Sequence, residues 1–189
     1  LWNPFSSTCT ATGLSTNTQQ TIHVHAVNAN GTGANSATAS AYTSIEAATG
    51  ITFGTIATSS IAISATGSFS NLTSGSSGLL FTQTTGNPGG GGDACFSWTQ
   101  TNSCTDTGLS PNTQYGYKAQ TRNGDGDTTT ETSISYKYTL PNPPTSQTAS
   151  GDWDSVQNYH VDVSWAAGTG GANHYHVRSS SDSYATVKY

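Results

Sequence analysis

Five histidines are the residues of this chain best suited to chemistry: His23, His25, His160, His174 and His176. His23 and His25 alternate with Val24 and Ala26, and His174 and His176 alternate with Tyr175 and Val177. In an extended backbone this spacing sends the imidazoles of each pair to one face and the apolar residues to the other. Imidazoles in that arrangement are candidate ligands for zinc or copper. The plainer reading is a polar outer face rich in histidine, or a contact to another copy. Protonation at about pH 6.5 would add charge to such a contact and weaken it. Carboxylates are paired in Asp125-Gly126-Asp127, after Asn123-Gly124, and in Asp152-Trp153-Asp154. An EF-hand calcium loop needs more carboxylates at fixed spacing and a closing Glu, so turns are the expected use. The GxSxG elbow, HExxH and P-loop patterns are absent. The paired carboxylates lie in loops with nothing to desolvate them for acid–base work. No cofactor is implied, and an enzyme is not expected.

The elements that must position these residues follow from an internal repeat. Residues 9–19 (CTATGLSTNTQ) recur as residues 104–114 (CTDTGLSPNTQ), nine of eleven positions matching at an offset of 95. Asn28/Asn123 and Gly31/Gly126 keep the same offset. A period of this kind marks tandem modules. The 189 residues are cut out of phase with it, so the chain is read as a processed product or a window from a longer protein. Three segments are expected: 1–43 as the closing half of a module, 44–140 as a complete module, and 141–189 as an opening half.

Cys95 and Cys104 are close enough to bridge a hairpin, with three reduced, buried thiols as the alternative. Cys9 is the repeat counterpart of Cys104, and the counterpart of Cys95 falls just before Leu1. Cys9 is therefore expected to pair with a residue outside the start of this chain. A bridge of this size contributes roughly 2–4 kcal/mol and belongs to an oxidising compartment. The expected location is extracellular or cell-surface.

Thr and Ser supply 33 and 27 residues, against only 15 charged ones. Thr, Tyr and Val suit strands, and Gly, Asn, Ser and Pro suit turns. High polarity could signal disorder, most of all at 86–93 (GNPGGGGD), but disorder usually comes with high charge and few aromatics. Here aromatics make up 10% and apolar residues alternate, which favours ordered sheet. A net charge of −5 with five basic residues excludes a nucleic-acid footprint. No apolar run approaches the roughly 20 residues that span a bilayer. Strands are expected around Ile61 and Ile63, from Leu79 to Phe81 onward, over 113–121, in 131–140, around Val161 to Trp165, and around Tyr175 and Val177. In the first segment they are expected over 21–29, before a turn at Asn30-Gly31, and in 36–44. Pro141-Asn142-Pro143-Pro144 lacks amide donors and reads as a joint between modules.

Leu109-Ser110-Pro111-Asn112-Thr113-Gln114-Tyr115, followed by alternating Tyr117 and Ala119 and then Asn123-Gly124, resembles the E–F corner and F strand of a fibronectin type III module. The resemblance implies an all-β fold of tandem immunoglobulin-like sandwiches, one complete and two complementary half-modules. It makes Tyr115 the corner tyrosine, whose hydroxyl ties back to the chain upstream, and it carries Leu109 with it. VDVSW (161–165) resembles the B strand with its core tryptophan, Trp165, and the segment through Pro143 and Pro144 resembles the linker before strand A. The chain departs from the pattern at Ala65, or a neighbour, where the middle segment lacks that tryptophan, and at Gln20, where the first segment lacks the tyrosine. By the same resemblance, 1–43 holds strands E, F and G, and 141–189 holds A, B, C and C′. Strands C and F are neighbours, so His23, His25, His174 and His176 would share one outer face. The integrin-binding Arg-Gly-Asp of some relatives is not carried over, because this loop reads Arg122-Asn123-Gly124-Asp125.

The expected function is structural: a repeat segment of an extracellular array or filament, joined head-to-tail to other copies of itself or to adjacent repeats. The alternative is an adhesin or spacer module that binds carbohydrate, metal or a host protein, with Trp2, Trp98 and Trp153 as candidate platforms. Asn30 and Asn71 lie in N-x-[ST] sequons and are candidate glycosylation sites, as are outward Ser and Thr residues.

Overall fold

The computed structural model describes residues 7–85, 94–154 and 158–178. The expected Gly-rich stretch 86–93 and strand C′ beyond residue 178 lie outside the described residues. Regular structure is β apart from a short 3-10 turn at Ala94–Phe96. In chain order the strands are β1 (Gln19–Ile22), β2 (Val27–Asn28), β3 (Gly31–Thr32), β4 (Ala39–Tyr42), β5 (Gly50–Ile56) and β6 (Ser60–Thr66). They continue as β7 (Gly78–Thr85), β8 (Ser103–Thr107), β9 (Gln114–Arg122), β10 (Ser135–Tyr138), β11 (Thr145–Asp154) and β12 (Asn158–Ala166).

β5 to β10 build two three-stranded antiparallel sheets, in the orders β5-β6-β8 and β10-β9-β7. Strand periodicity explains why they pack face to face. Ile61, Ile63 and Ala65 alternate inward from β6, Leu79 and Phe81 from β7, and Tyr115, Tyr117 and Ala119 from β9. Together with Leu109 and Ala48 they form one buried cluster. Full burial of each large side chain contributes roughly 1.5–3 kcal/mol. β5 takes the place of strand A, β6 of B, β7 of C, β8 of E, β9 of F and β10 of G in a fibronectin type III sandwich.

The flanking segments form less. β1 pairs with β4, β2 with β3, and β11 with β12, each pair a two-stranded sheet of its own. Residues 7–18 and 173–178 contain no strand, which corrects the expectation of strand E near Cys9 and strand C around Tyr175. The strand expected over 21–29 is broken between Ile22 and Val27. The hairpin tip is Ala29-Asn30 rather than Asn30-Gly31.

Pairing accounts for the two missing strands and for the break after Ile22. In the middle sandwich β8 lies on β6, and β7 lies on β9. A strand E in 7–18 would need a β6-like neighbour, and a strand C in 173–178 would need a β9-like one. Among the described residues the first segment contains no strand in the place of β6, and the last contains none in the place of β9. β9 is held on both edges by β7 and β10, whereas β1 is held on one edge by β4 alone. Past Ile22 its chain bonds instead to Ser36, whose N–H donates to Val24 O (2.7 Å) and whose Oγ accepts from Val24 N–H (3.0 Å).

Candidate functional site

Two apolar strand faces outside the middle sandwich are exposed. Tyr117 and Ala119 are exposed at 0% and 1%, while their counterparts at the offset of 95, Ile22 and Val24, are exposed at 62% and 72%. Ile61 and Ile63 are fully buried on β6, whereas Val161 and Val163, which alternate in the same way on β12, are exposed at 63% and 43%. On the last segment Val161 and Val163 line an open cleft of about 450 Å³ with Trp165, Tyr175 and Val177. Trp165 packs its ring edge-on against Tyr175, 5.5 Å between centroids. Both flanking segments thus present an apolar face with nothing laid over it among the described residues.

The second feature is the corner carried by the repeat. Tyr115 Oη accepts a hydrogen bond from Ser110 N–H at 2.8 Å, five residues upstream. Around it runs a network that occurs twice. Thr139 Oγ1 donates to Ser110 O (2.6 Å) and accepts from Thr113 N–H (3.0 Å). Thr43 Oγ1 donates to Ser15 O (2.7 Å) and accepts from Thr18 N–H (3.0 Å). Asn112 N–H donates to Leu140 O at 3.1 Å, and Asn17 N–H donates to Ser44 O at 2.9 Å. Both asparagines hold left-handed backbone, φ 48° and 47°, a conformation that Asn tolerates better than most residues.

These asparagines link one segment of the chain to the next. Asn17 is completely buried. Its Nδ2 donates toward Ser70 O (3.0 Å), Asn71 O (2.9 Å) and Ser77 Oγ (2.9 Å), and its Oδ1 accepts from Gly124 N–H (3.0 Å). Tyr42 seals the joint: its N–H donates to Asp125 Oδ2 (2.6 Å), and its ring lies so close to Gly124 that a Cβ there would collide with it. Asn112 makes the corresponding reach into the last segment, where Nδ2 donates to Gly171 O. Nothing in composition marked Asn17 or Asn112. The available signal was their identity in both copies of the repeat, together with the turn preference of asparagine.

The other candidates fall as follows. Cys95 and Cys104 are joined in a disulfide, and Cys9 is exposed and unpaired among the described residues. Leu109 is in the buried cluster. Pro141 and Pro143 are exposed and Pro144 is half-buried beside the open cleft. Gly168 presses against the carbonyls of Asn142 and Pro143, where a side chain would not fit. His23 and His25 sit 6.4 Å apart, and His174 and His176 4.9 Å apart, between ring centroids. No group of three or more metal-ligating side chains occurs among the described residues. The turn carboxylates serve the protein itself: Asp125 binds Tyr42, and Asp127 Oδ2 accepts from Asn123 Nδ2 at 3.3 Å. Asn30 is exposed near the β2–β3 tip. Asn71 is exposed, yet its Nδ2 donates to Thr16 O and Thr18 Oγ1, both at 3.2 Å. A glycan on that nitrogen would leave one N–H for two acceptors. Trp2 and the side chains of Trp153 and His160 lie outside the described residues. Trp98 is half-buried with the Arg122 guanidinium 4.4 Å above its ring.

One buried polar cluster escaped the sequence reading. Asp106 Oδ2 accepts from Tyr117 Oη (2.7 Å) and from Gln83 Nε2 (3.0 Å) inside the middle core. Burial first, and the Asp106 carboxylate second, push the Tyr117 phenol far above its usual range. The phenol therefore stays protonated and donates. In the first segment the counterparts of Asp106 and Tyr117 are Ala11 and Ile22, so both partners are replaced together and no orphaned charge results.

Sheet order, corner and inward pattern of β5 to β10 are those of a fibronectin type III-like sandwich. The chain is similar to the FN1–FN3 domains of chicken CNTN1, at 20% identity and a TM-score of 0.35, over 68% of this chain and 45% of that one. It thus spans less than half the length of that structure. It is also similar to domains d3–d4 of the rat CD45 extracellular region, at 16% identity and a TM-score of 0.41, over 74% of this chain and 72% of that one. No known family profile and no curated protein matches the sequence.

Proposed function

We propose that this chain is a structural repeat segment of an extracellular array or filament, assembled head-to-tail by completing a split β-sandwich. Residues 141–189 of one copy and 1–43 of the next form a single module. One observation carries the reading. Strand pairs whose two members lie within one segment are formed, β1–β4 and β11–β12, while those needing a neighbour from the other segment, E and C, are not. Joining the segments gives E a β12 to lie on and C a β1. It also brings Ile22 and Val24 over Val161, Val163 and Trp165, so that one core covers both open faces. Strand exchange of this kind satisfies main-chain hydrogen bonds and buries apolar surface together, and a head-to-tail contact propagates instead of closing. The disulfide supports an oxidising, extracellular setting. No described helix is long and apolar enough to cross a membrane.

The test uses two truncations that each keep the middle sandwich, residues 1–140 and 44–189. Each alone should be monomeric by light scattering, and mixing should give a one-to-one complex and no larger species. Truncations that ignore each other after mixing would sink the split-sandwich reading.

The adhesin or spacer reading keeps one local support. A polar cleft of about 410 Å³ runs beside Trp98 and Arg122, lined also by Ser76, Ser77 and Gln100. Saturable binding of a glycan there, lost in Trp98→Ala, would favour it.

A further inference from the structure

We infer that Asn112 is the keystone of the copy-to-copy junction, its side-chain oxygen reserved for the main-chain N–H of Ala29 on the incoming copy. The inference rests on the filament reading above and specifies which atoms meet.

Asn17 shows what a complete joint looks like. Two loops of the following module hold it: the one between β6 and β7 takes its Nδ2, through Ser70, Asn71 and Ser77, and the one after β9 supplies Gly124 N–H to its Oδ1. Asn112 has the first contact only. Its Nδ2 reaches Gly171, in the loop after β12, and its Oδ1 has no donor among the described residues. The missing loop is the counterpart of 123–126, which is 28–31. In the proposed assembly that stretch arrives with the next copy.

The incoming loop is already shaped for the task. Asp125 N–H donates to Asn123 Oδ1 at 3.1 Å, and Asn30 N–H donates to Asn28 Oδ1 at 2.8 Å. The same Asx turn therefore presents Gly124 N–H in one loop and Ala29 N–H in the other. Little ordering remains to be done on docking, which lowers the entropic cost of the contact. Asn30 then falls where Asp125 falls, next to the main-chain N–H of Tyr138, the counterpart of Tyr42. One difference separates the two joints. Ala29 carries the methyl group that Gly124 lacks, so Tyr138 has to stand farther off than Tyr42 does. Tyr138 is 54% exposed and has room to turn.

The test is assembly of the full chain carrying Asn112→Gly. Glycine keeps the left-handed backbone and removes only the amide, so the middle sandwich should melt as in the wild type. The critical concentration for assembly should rise by about tenfold or more, the effect of leaving a buried donor without its partner. Asn112→Asp keeps the acceptor for Ala29 and should assemble better than Asn112→Gly. Hydrogen exchange reads the bond itself: the Ala29 amide should be protected in wild-type assemblies and fast in the Gly variant. Wild-type assembly with an unchanged critical concentration in Asn112→Gly overturns this inference alone. A wild-type chain that never assembles overturns the filament reading and takes this inference with it.

Discussion

β9 and β1 occupy the same place in the repeat and share the stretch that leads into them, yet one is a nine-residue strand and the other ends after four. The difference is their neighbours. β9 lies between β7 and β10 and turns Tyr117 into a closed core; β1 has β4 on one side and turns Ile22 outward. The same contrast separates β6, which buries Ile61 and Ile63, from β12, which exposes Val161 and Val163. An amphipathic strand encodes which face goes inside, and something else must supply the inside. Exposed strand edges and apolar faces are a hazard that isolated domains avoid. Two such exposed apolar faces on one polypeptide motivate the shared core proposed above.

The largest expected effect tests that contrast at equivalent positions. Ile61→Ala should destabilise the middle sandwich by about 2–5 kcal/mol, the range for removing a fully buried branched side chain. Val161→Ala should shift the melting of an unassembled chain by less than about 0.5 kcal/mol, as for an exposed position, while raising the concentration needed for assembly. Denaturant melts of both variants, with sedimentation of the second, decide the matter. Equal losses of stability would mean that β12 is already packed within one copy.

A smaller effect is expected at the corner. Tyr115→Phe removes the bond from Ser110 N–H and should cost about 1 kcal/mol, measured by the same melts. The first segment has Gln20 at this position. Gln20→Tyr should leave the unassembled chain unchanged and stabilise assemblies by a comparable amount, because the corner matters only where a sandwich closes around it. A gain seen already in the unassembled chain would break the comparison.

Much of this was legible from residue order. The echo of residues 9–19 in 104–114 located the repeat, alternation located β6, β9 and β12, and the Leu-x-Pro-x-Thr-x-Tyr pattern located the corner. β5 was not legible, because Gly50–Ile56 has three residues suited to burial among Gly and Thr and bends at a register shift after Phe53. The breaks in 7–18 and 173–178 were also hidden, since propensity reports what a segment prefers and not whether its neighbour is present. The joint was the hardest to see. Asn17 looks like any turn asparagine, and its burial comes from residues 53 to 107 positions away.

The smallest effect separates the two joints by pH. Glu46 enters the first joint, where its Oε1 accepts from Ser70 Oγ (2.6 Å) and its Oε2 from Ser70 N–H (2.9 Å). Burial pushes this carboxyl up, but the two bonds to Ser70 and one to its own main-chain N–H together hold the group below its ordinary value of 4.5. A folded-state value below the unfolded one means that the contribution is complete above pH 4.5 and fades as pH falls through the lowered value. In the second joint Asn142 follows Tyr138 at the interval by which Glu46 follows Tyr42; its Nδ2 donates to Thr169 Oγ1, and it does not titrate. Acid should therefore loosen the Ser70 contact and leave the Thr169 contact alone. Amide exchange at Ser70, followed from neutral pH downward and corrected for intrinsic rates, should show loss of protection there. Glu46→Gln should flatten the Ser70 response. An unchanged acid response at Ser70 in Glu46→Gln would mean that another group, and not this carboxylate, governs the joint.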